Sequence, residues 1–531
     1  LLSRIKRITI VGGGSAGWMT AAYLSKKLDF LDITLIESKK IGTIGVGEST
    51  LGHINKFLDC LELKDSDWMA FCNASYKTSI KFTDFRTLNS YFHYPFGAFN
   101  LEGTTHGIMD WFWYQAAHNY KLPTTDFAEM FVNQVLMTDR QKMTNNKNNE
   151  IPGFNFHLDT AYHMDAEKFG IFLKDKIAIP NGVNHIEDTI SQVTQNEYGE
   201  VAEIITEGGR RLTADLFIDA SGFKKILIEG VMKSEFLSFG DVLMNDRALA
   251  TRVPYINIEK ELTSVTNCTA IESGWVWDIP LFTRRGTGYV HSSKFADREQ
   301  AEKDFKKHLA LRIGKEKAEE LEFNYIEIKH GVQKEPWIKN VCSIGLALGF
   351  IEPLESTGLL TAHENIMRLE AVLSKRDGYV NQFDIDGWNF AAREELEGFK
   401  QFVSMHYAMS QRDDTEYWKH VTKNIKYAPK IYNLETEFRN NASNTMYRLN
   451  VSNELDQTHA GGETFILTGM GLNPISKSQA DMACYRYPNA LNEIKNTRNS
   501  YLQRKQKILD HIETLPSHYE FLKKEIYKNE N

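Results

Sequence analysis

The chain has 531 residues, 42% hydrophobic and 25% charged, with a net charge of −8 at pH 7. That length admits roughly two to four domains and a large buried core, and the composition is that of a globular chain. The negative balance gives no basic field for nucleic acid, and no apolar run reaches the roughly 18 residues of a membrane helix. Neither nucleic acid nor a membrane is therefore an expected partner. Leu1 to Arg4 hold no signal-peptide core and no initiator methionine, which points to a trimmed or fused chain. Five cysteines form no Cys-x-x-Cys pair, so neither a disulfide framework nor a metal site is expected, and a reducing cytoplasm fits.

In chain order, the apolar run Ile8-Thr9-Ile10 leads into Gly12-Gly13-Gly14-Ser15-Ala16-Gly17, and a helical pattern follows from Trp18 to Leu28. The next apolar run, Ile33 to Ile36, closes on Glu37, twenty residues past Gly17. This order of strand, glycine turn, helix, strand and acid predicts a dinucleotide site. Gly12 makes the tight turn, Gly14 lets backbone approach a pyrophosphate, and Gly17 lets helix and strand pack closely. The N–H groups at the helix start, Ser15 and Ala16 among them, face the phosphates. Glu37 is placed to accept from both ribose hydroxyls. A second glycine cluster, Ile44 to Ser49 with Gly47 inside it, follows closely enough to return to the same cofactor.

Further along, Ser79 to Phe85 alternates as a strand, and Asp165 is placed to cap a helix over Ala166 to Ile177. Ile190 to Val193 and Val201 to Ile205 read as a hairpin. Leu212 to Gly222 reads as a buried strand ending in a small-residue turn, with Asp219 where it could meet a cofactor. Leu237 to Phe295 reads as mostly antiparallel strand. Ser343 to Phe350 is a small-residue apolar run, followed by Glu352-Pro353-Leu354-Glu355-Ser356-Thr357-Gly358 and a helix with apolar positions Ala362, Ile366, Leu369 and Leu373. Ser356 or Thr357 is a candidate cap for that helix. Trp388 to Tyr407 and Ala490 to about Glu513 are further helices. A single glycine fingerprint means one dinucleotide. In Gly274-Trp275-Val276-Trp277-Asp278-Ile279-Pro280, two indoles at i and i+2 share one strand face. They form either a water-excluding wall or core packing.

The segment Gly274 to Pro280 matches the W-x-W-x-I-P signature of flavin-dependent halogenases, and with the opening turn the sequence resembles the tryptophan halogenase family over most of its length. Ile44 to Ser49, the stretch around Lys77, Leu216 to Gly222, Gly288-Tyr289-Val290 and Glu352 to Gly358 also match, as do His406-Tyr407 with Arg412, Asp414, Thr415 and Trp418. The resemblance implies an α/β fold of the flavin monooxygenase type. Its GxGxxG Rossmann-like FAD domain would occupy 1–86, 161–230 and 341–373. Residues 87–160 would contribute to the substrate site, 231–340 would form an antiparallel sheet, and 374–531 would form a helical substrate-binding region.

It further implies an enzyme in which FADH2, O2 and halide yield hypohalous acid, which passes through a tunnel to Lys77. Lys81 is a rival on the same strand face; for either, the alternative is a solvated lysine. Glu355 takes the family's acid position, although Glu352 is only three residues away. Thr357 and Gly358 would hold the halide, Leu346 would touch the flavin, and Trp275 and Trp277 would gate the tunnel. A separate NAD(P)H flavin reductase would supply the reduced cofactor, and a homo-oligomer is compatible.

Family members tend to carry an imidazole where Tyr94 stands in Tyr91-Phe92-His93-Tyr94-Pro95-Phe96-Gly97, and Phe96 keeps a stacking ring. Tyr432 to Gly462 shows no Phe-Trp pair of the kind found in tryptophan-specific lids. These departures favour another electron-rich aromatic, indole-like or phenolic, with Tyr94, Phe96, Trp111 and Trp113 as wall candidates. The alternatives are an FAD-dependent aromatic hydroxylase and a non-catalytic flavin-binding module.

Overall fold

Apolar runs without alternation belong to strands covered on both faces. In the computed structural model, which describes residues 3–39, 46–105, 107–429, 431 and 460–528, the N-terminal runs are such strands. Two compact units result. The first comprises Leu1–Ser75, Ala161–Asp246 and Glu327–Lys400; the second comprises Tyr76–Thr160, Arg247–Ile326 and Gln401–Asn531.

The first unit is built on a six-stranded sheet in the order Trp337–Ile338, Val341–Ser343, Leu216–Asp219, Arg7–Val11, Asp32–Glu37 and Asn184–Glu187. All neighbours pair in parallel except the short edge strand Trp337–Ile338. Ile8, Ile10, Leu35, Phe217 and Ile218 are buried along its centre. Arg7–Val11 lies between the strand that follows it and one that arrives about 200 residues later, so the strand order reverses at the end carrying the glycine turn. The helix Ser15–Lys27 starts there and packs against Ala166–Leu173 and Thr357–Ser374.

The second unit holds a seven-stranded sheet in the order Asn324–Glu327, Arg247–Val253, Arg285–His291, Gly274–Pro280, Val265–Ile271, Ser79–Thr83 and Tyr91–Pro95. Arg247–Val253, Arg285–His291, Gly274–Pro280 and Val265–Ile271 pair antiparallel in turn, as do Ser79–Thr83 and Tyr91–Pro95, whereas Val265–Ile271 pairs in parallel with Ser79–Thr83. The helix Arg298–Ile313 covers one sheet face, where Leu249, Val276, Tyr289, Phe305 and Leu309 form a core. Met109–Ala117, Thr125–Phe131, Ala460–Gly469 and Ala490–Ile512 are among the helices of the same unit.

Several expected elements shift. Leu212 to Gly222 is not one strand: Arg211–Leu212 pairs with Val201–Thr206, and only Leu216–Asp219 enters the parallel sheet. Asp165 does cap its helix, accepting from the Lys168 N–H, but the α-helix ends at Leu173 and a π-helical turn, Lys174–Ala178, continues it. Ser356 is not a side-chain cap: it adopts φ 58° and its hydroxyl donates to Ser49 Oγ at 3.1 Å. Among the described residues no helix is long and apolar enough to cross a membrane.

Candidate active site

The glycine turn is built as a ligand cradle. Gly12 has φ +117°, and a Cβ there would lie 2.3 Å from the Ala220 carbonyl oxygen. A Cβ on Gly17 would lie 1.9 Å from the Gly12 oxygen. These two glycines permit close packing. Gly14 differs: a Cβ there would meet nothing within 4 Å. It precedes the first turn of Ser15–Lys27, which has no side-chain cap and no acid. Exposed N–H groups beside open space at a helix start suit a pyrophosphate. The residues present therefore fit the dinucleotide that the sequence implies.

The surrounding residues complete this side. Ser15 Oγ donates to the Ala166 carbonyl at 3.0 Å and anchors the neighbouring helix. Glu37 Oε1 accepts from His185 Nε2 at 2.7 Å. The 3₁₀ turn Gly345–Ala347, with Leu346 half exposed, returns to the same place, since a Gly345 Cβ would lie 2.7 Å from Ala16 Cβ. Asp219 does not face a cofactor. Its buried carboxylate accepts from the backbone N–H of Ser221, Leu227 and Ile228 and from the Ser221 hydroxyl, so it organises the turn after its own strand. Ile44 and Gly45 lie outside the described residues, as does most of Tyr432 to Gly462.

Thr357 and Gly358 open the helix Thr357–Ser374, whose first turn lacks an acid and a side-chain cap. Ser356 links this turn to Ser49, and a Cβ on Gly358 would lie 3.7 Å from Glu48 Oε2. Burial pushes the Glu48 carboxyl up to about 7. The two nearby acids separate. Glu352 accepts from Asn245 Nδ2 at 2.8 Å, and its N–H donates to His330 Nδ1, so it holds the chain. Glu355, 1% exposed, lies in the 3₁₀ turn directly before the helix.

In the second unit the register places Phe92, Phe82, Cys268, Trp277 and Gly288 in one row across five strands. Residues paired in a row share a sheet face. Trp275 and Trp277, two positions apart, therefore share a face with Phe82 and, through Ile80, with Tyr94. The indole centroids are 6.2 Å apart and both side chains are buried. Phe465 stacks on Tyr94 at 6.2 Å, and His406 lies 4.6 Å from the Phe82 ring. Phe402, whose ring centroid lies 6.2 Å from that of Tyr94, and Phe465 were not legible in the sequence as neighbours of this face, and His406 was legible only as part of a family match.

Lys77 ends the strand Ser75–Lys77, is fully buried, and holds its Nζ 5.0 Å from the Phe96 ring centroid. Thr78 separates it from Ser79–Thr83 but keeps the ladder, donating to the Ser264 carbonyl at 2.8 Å and accepting from the Phe96 N–H at 3.0 Å. Lys81 pairs with Asn267 and His93, in the row facing away from Trp277, and its Nζ lies 3.9 Å from the exposed Tyr91 ring. The two lysines thus meet different rings, Phe96 and Tyr91. His93 also faces away from Tyr94, one residue along the strand. There Ser79 Oγ meets His93 Nδ1 at 3.0 Å and His93 Nε2 meets Asp139 at 3.1 Å. Burial opposes ionisation of Asp139, but His93 and Lys81 outweigh it and hold the carboxyl below its usual range.

The remaining candidates are structural in their surroundings. Trp111 is buried, packs on Phe112 and Phe127, and donates from Nε1 to Asp126 at 3.2 Å. Trp113 is half-buried on the same helix. Arg412 binds Asp414 and the Ala270 carbonyl, and Trp418 Nε1 donates to the Ile271 carbonyl, so this motif fastens the end of Val265–Ile271.

Comparison with known proteins agrees with this arrangement. The profile of the family described as tryptophan halogenase matches residues 7–480. The 7-chloro-L-tryptophan 6-halogenase of Kutzneria sp. (strain 744) is 34% identical over 78% of this chain and 81% of its own. The tryptophan 7-halogenase of Lentzea aerocolonigenes is 30% identical over 98% of this chain and 99% of its own. Among solved structures, VirX1 in its apo form has a TM-score of 0.90 at 41% identity, covering 99% of this chain and 100% of that one. A flavin-dependent halogenase from Xanthomonas campestris has a TM-score of 0.81 at 27% identity, covering 99% of each. A profile match over most of the length, a related enzyme aligned nearly end to end, and a glycine cradle open at Gly14 lead to one assignment: the chain belongs to the tryptophan halogenase family of flavin-dependent halogenases.

Proposed function

We propose that this protein halogenates an electron-rich, indole-like or phenolic aromatic through Lys77, using FADH2 delivered by a separate NAD(P)H flavin reductase. FADH2, when bound, would supply the two electrons with which O2 and halide yield hypohalous acid and water. The Gly12–Gly17 turn, Glu37, Gly47, Ser49 and Leu346 hold it, and the N–H groups of Thr357 and Gly358 hold the halide. The observation that carries the reading is the fully buried side chain of Lys77, its Nζ beside an aromatic ring, a poor place for a lysine with only a solvating role.

Lys77 donates a hydrogen bond to the oxygen of hypohalous acid and polarises the oxygen–halogen bond. The aromatic ring attacks the halogen and that bond breaks. The departing hydroxide takes the proton that Lys77 donates and leaves as water. Glu355 accepts the proton from the halogenated ring carbon, which restores aromaticity, and that proton returns to Lys77 through solvent. The net change is Ar–H plus hypohalous acid to Ar–halogen plus water. Trp275 and Trp277 present a rigid apolar wall in the unit that contains Lys77, and Tyr94 and Phe96 stack against the substrate. Tryptophan is named as substrate of the relatives; the Tyr94 departure supports a different aromatic here.

The test is mass spectrometry of reactions containing FAD, a flavin reductase, NADH, one halide at a time and a set of indoles and phenols. Halogen incorporation is expected. Halide-independent oxygen incorporation would instead establish the hydroxylase, which family membership does not favour.

A further inference from the structure

The fingerprint G-x-G-x-x-G gives no task to the residue between its first two glycines, yet here that residue is Gly13. A Cβ on Gly13 would lie 1.7 Å from Glu37 Oε2. The Glu37 carboxylate therefore rests on the turn itself, in space that any side chain at position 13 would fill. Its other oxygen, Oε1, is engaged by His185 Nε2 at 2.7 Å. A carboxylate only accepts, so that nitrogen carries the proton and donates it. His185 is held in turn. It lies on Asn184–Glu187, parallel to the Glu37 strand with Leu35 paired to His185, and its ring meets Trp18 edge-on at 5.1 Å. Glu187 closes the cluster but pairs with Lys39, leaving the His185–Glu37 bond as the directed contact.

We propose that His185 is a positioning residue for the nucleotide: with Gly13 it fixes the Glu37 carboxylate before the cofactor arrives, in the plane that receives the adenosine ribose hydroxyls. The inference rests on the reading of this turn as the FAD site. A partly exposed glutamate at a strand end otherwise samples several rotamers, and ordering it on binding weakens affinity. The role also explains why the middle one of three consecutive glycines, Gly13, is a glycine at all, a position to which packing at Gly12 and Gly17 gives no task.

The test is FAD affinity of the flavin-free full chain, followed by flavin fluorescence, for His185→Ala, His185→Gln, Glu37→Ala and the double variant Glu37→Ala/His185→Ala. His185→Ala is expected to weaken FAD about tenfold, the effect of one hydrogen bond to a charged group. His185→Gln, which keeps an N–H donor, recovers part of that loss. In the Glu37→Ala background, where no acceptor remains, His185→Ala adds no further loss, whereas a merely structural histidine would cost the same in both backgrounds. Unchanged affinity in His185→Ala while Glu37→Ala weakens binding, or fully additive losses, overturns the proposal alone. Unchanged affinity in Glu37→Ala overturns the underlying reading of the ribose site.

Discussion

At the scale of single residues, Glu48 sets an acid beside the turn proposed for the halide. Its carboxyl is held neutral up to about 7 by burial, so below that pH an anion can sit next to it, and above that pH two negative charges compete. We predict that halide affinity falls as pH rises through about 7 and that Glu48→Gln removes the dependence; halide titrations at pH 6 and pH 8 measure it, and a flat wild-type profile contradicts it. His93 shows a different residue-scale effect. It bridges Ser79 and Asp139, and His93→Phe strands Asp139 while the Ser79 hydroxyl keeps the Tyr94 carbonyl, so we predict a loss of about 1–3 kcal/mol in urea unfolding. Sequence alone showed that this stretch holds an imidazole one position before the family's. That the shift carries it to the opposite sheet face follows from strand alternation once the strand bounds are known. Lys77 and Lys81 were indistinguishable by spacing, four residues apart in one alternating run, and it is burial that separates them, complete for Lys77 and partial for Lys81.

At the scale of elements, the strand Gly274–Pro280 is fixed from both faces. On one face Asp278 is buried and paired with Arg285 and Arg312, the latter from the helix Arg298–Ile313. Burial opposes its ionisation, but the two guanidinium groups outweigh that and hold the carboxyl at about 2. On the other face Gly288 lies opposite Trp277, and a Cβ there would lie 2.2 Å from the indole. We predict that Gly288→Ala displaces Trp277 and changes the near-ultraviolet circular dichroism without changing FAD affinity. An unaltered tryptophan spectrum would show that the ring has room to spare. The strand, both indoles and their shared face were legible from the i, i+2 spacing. Asp278 was not, because its partners come from residues that read as ordinary surface arginines. The helix beginning at Thr357 was likewise legible from apolar spacing, whereas the left-handed Ser356 before it was not, since its hydroxyl answers to Ser49 far away in sequence.

For the whole molecule, each unit is assembled from three separate stretches of chain. The parallel sheet was predictable in kind from its continuous apolar runs. Its strand order was not, since Leu216–Asp219 and Val341–Ser343 join it over long sequence separations. Global stability carries a pH signature from a buried imidazole. Burial holds His518 neutral down to about 3, whereas the unfolded chain protonates near 6.5. Above about 6.5 the two states bind the same protons at this site. Below it the unfolded state gains one and the folded state does not, so stability is lost as pH falls. Relative to a His518→Gln variant, the wild type should lose about 1.4 kcal/mol per pH unit between about 6.5 and 3. Urea unfolding at pH 7 and pH 5 tests this, and parallel pH profiles of the two proteins would contradict it.

The central claim is that the buried Lys77 side chain delivers the halogen. The most direct measurement compares wild type and Lys77→Met for halogenated product by mass spectrometry, with FAD binding measured on the same samples. The account predicts a fall in product of about 10²–10⁴-fold at unchanged FAD affinity. Halogenation that persists at the wild-type rate in Lys77→Met would contradict it.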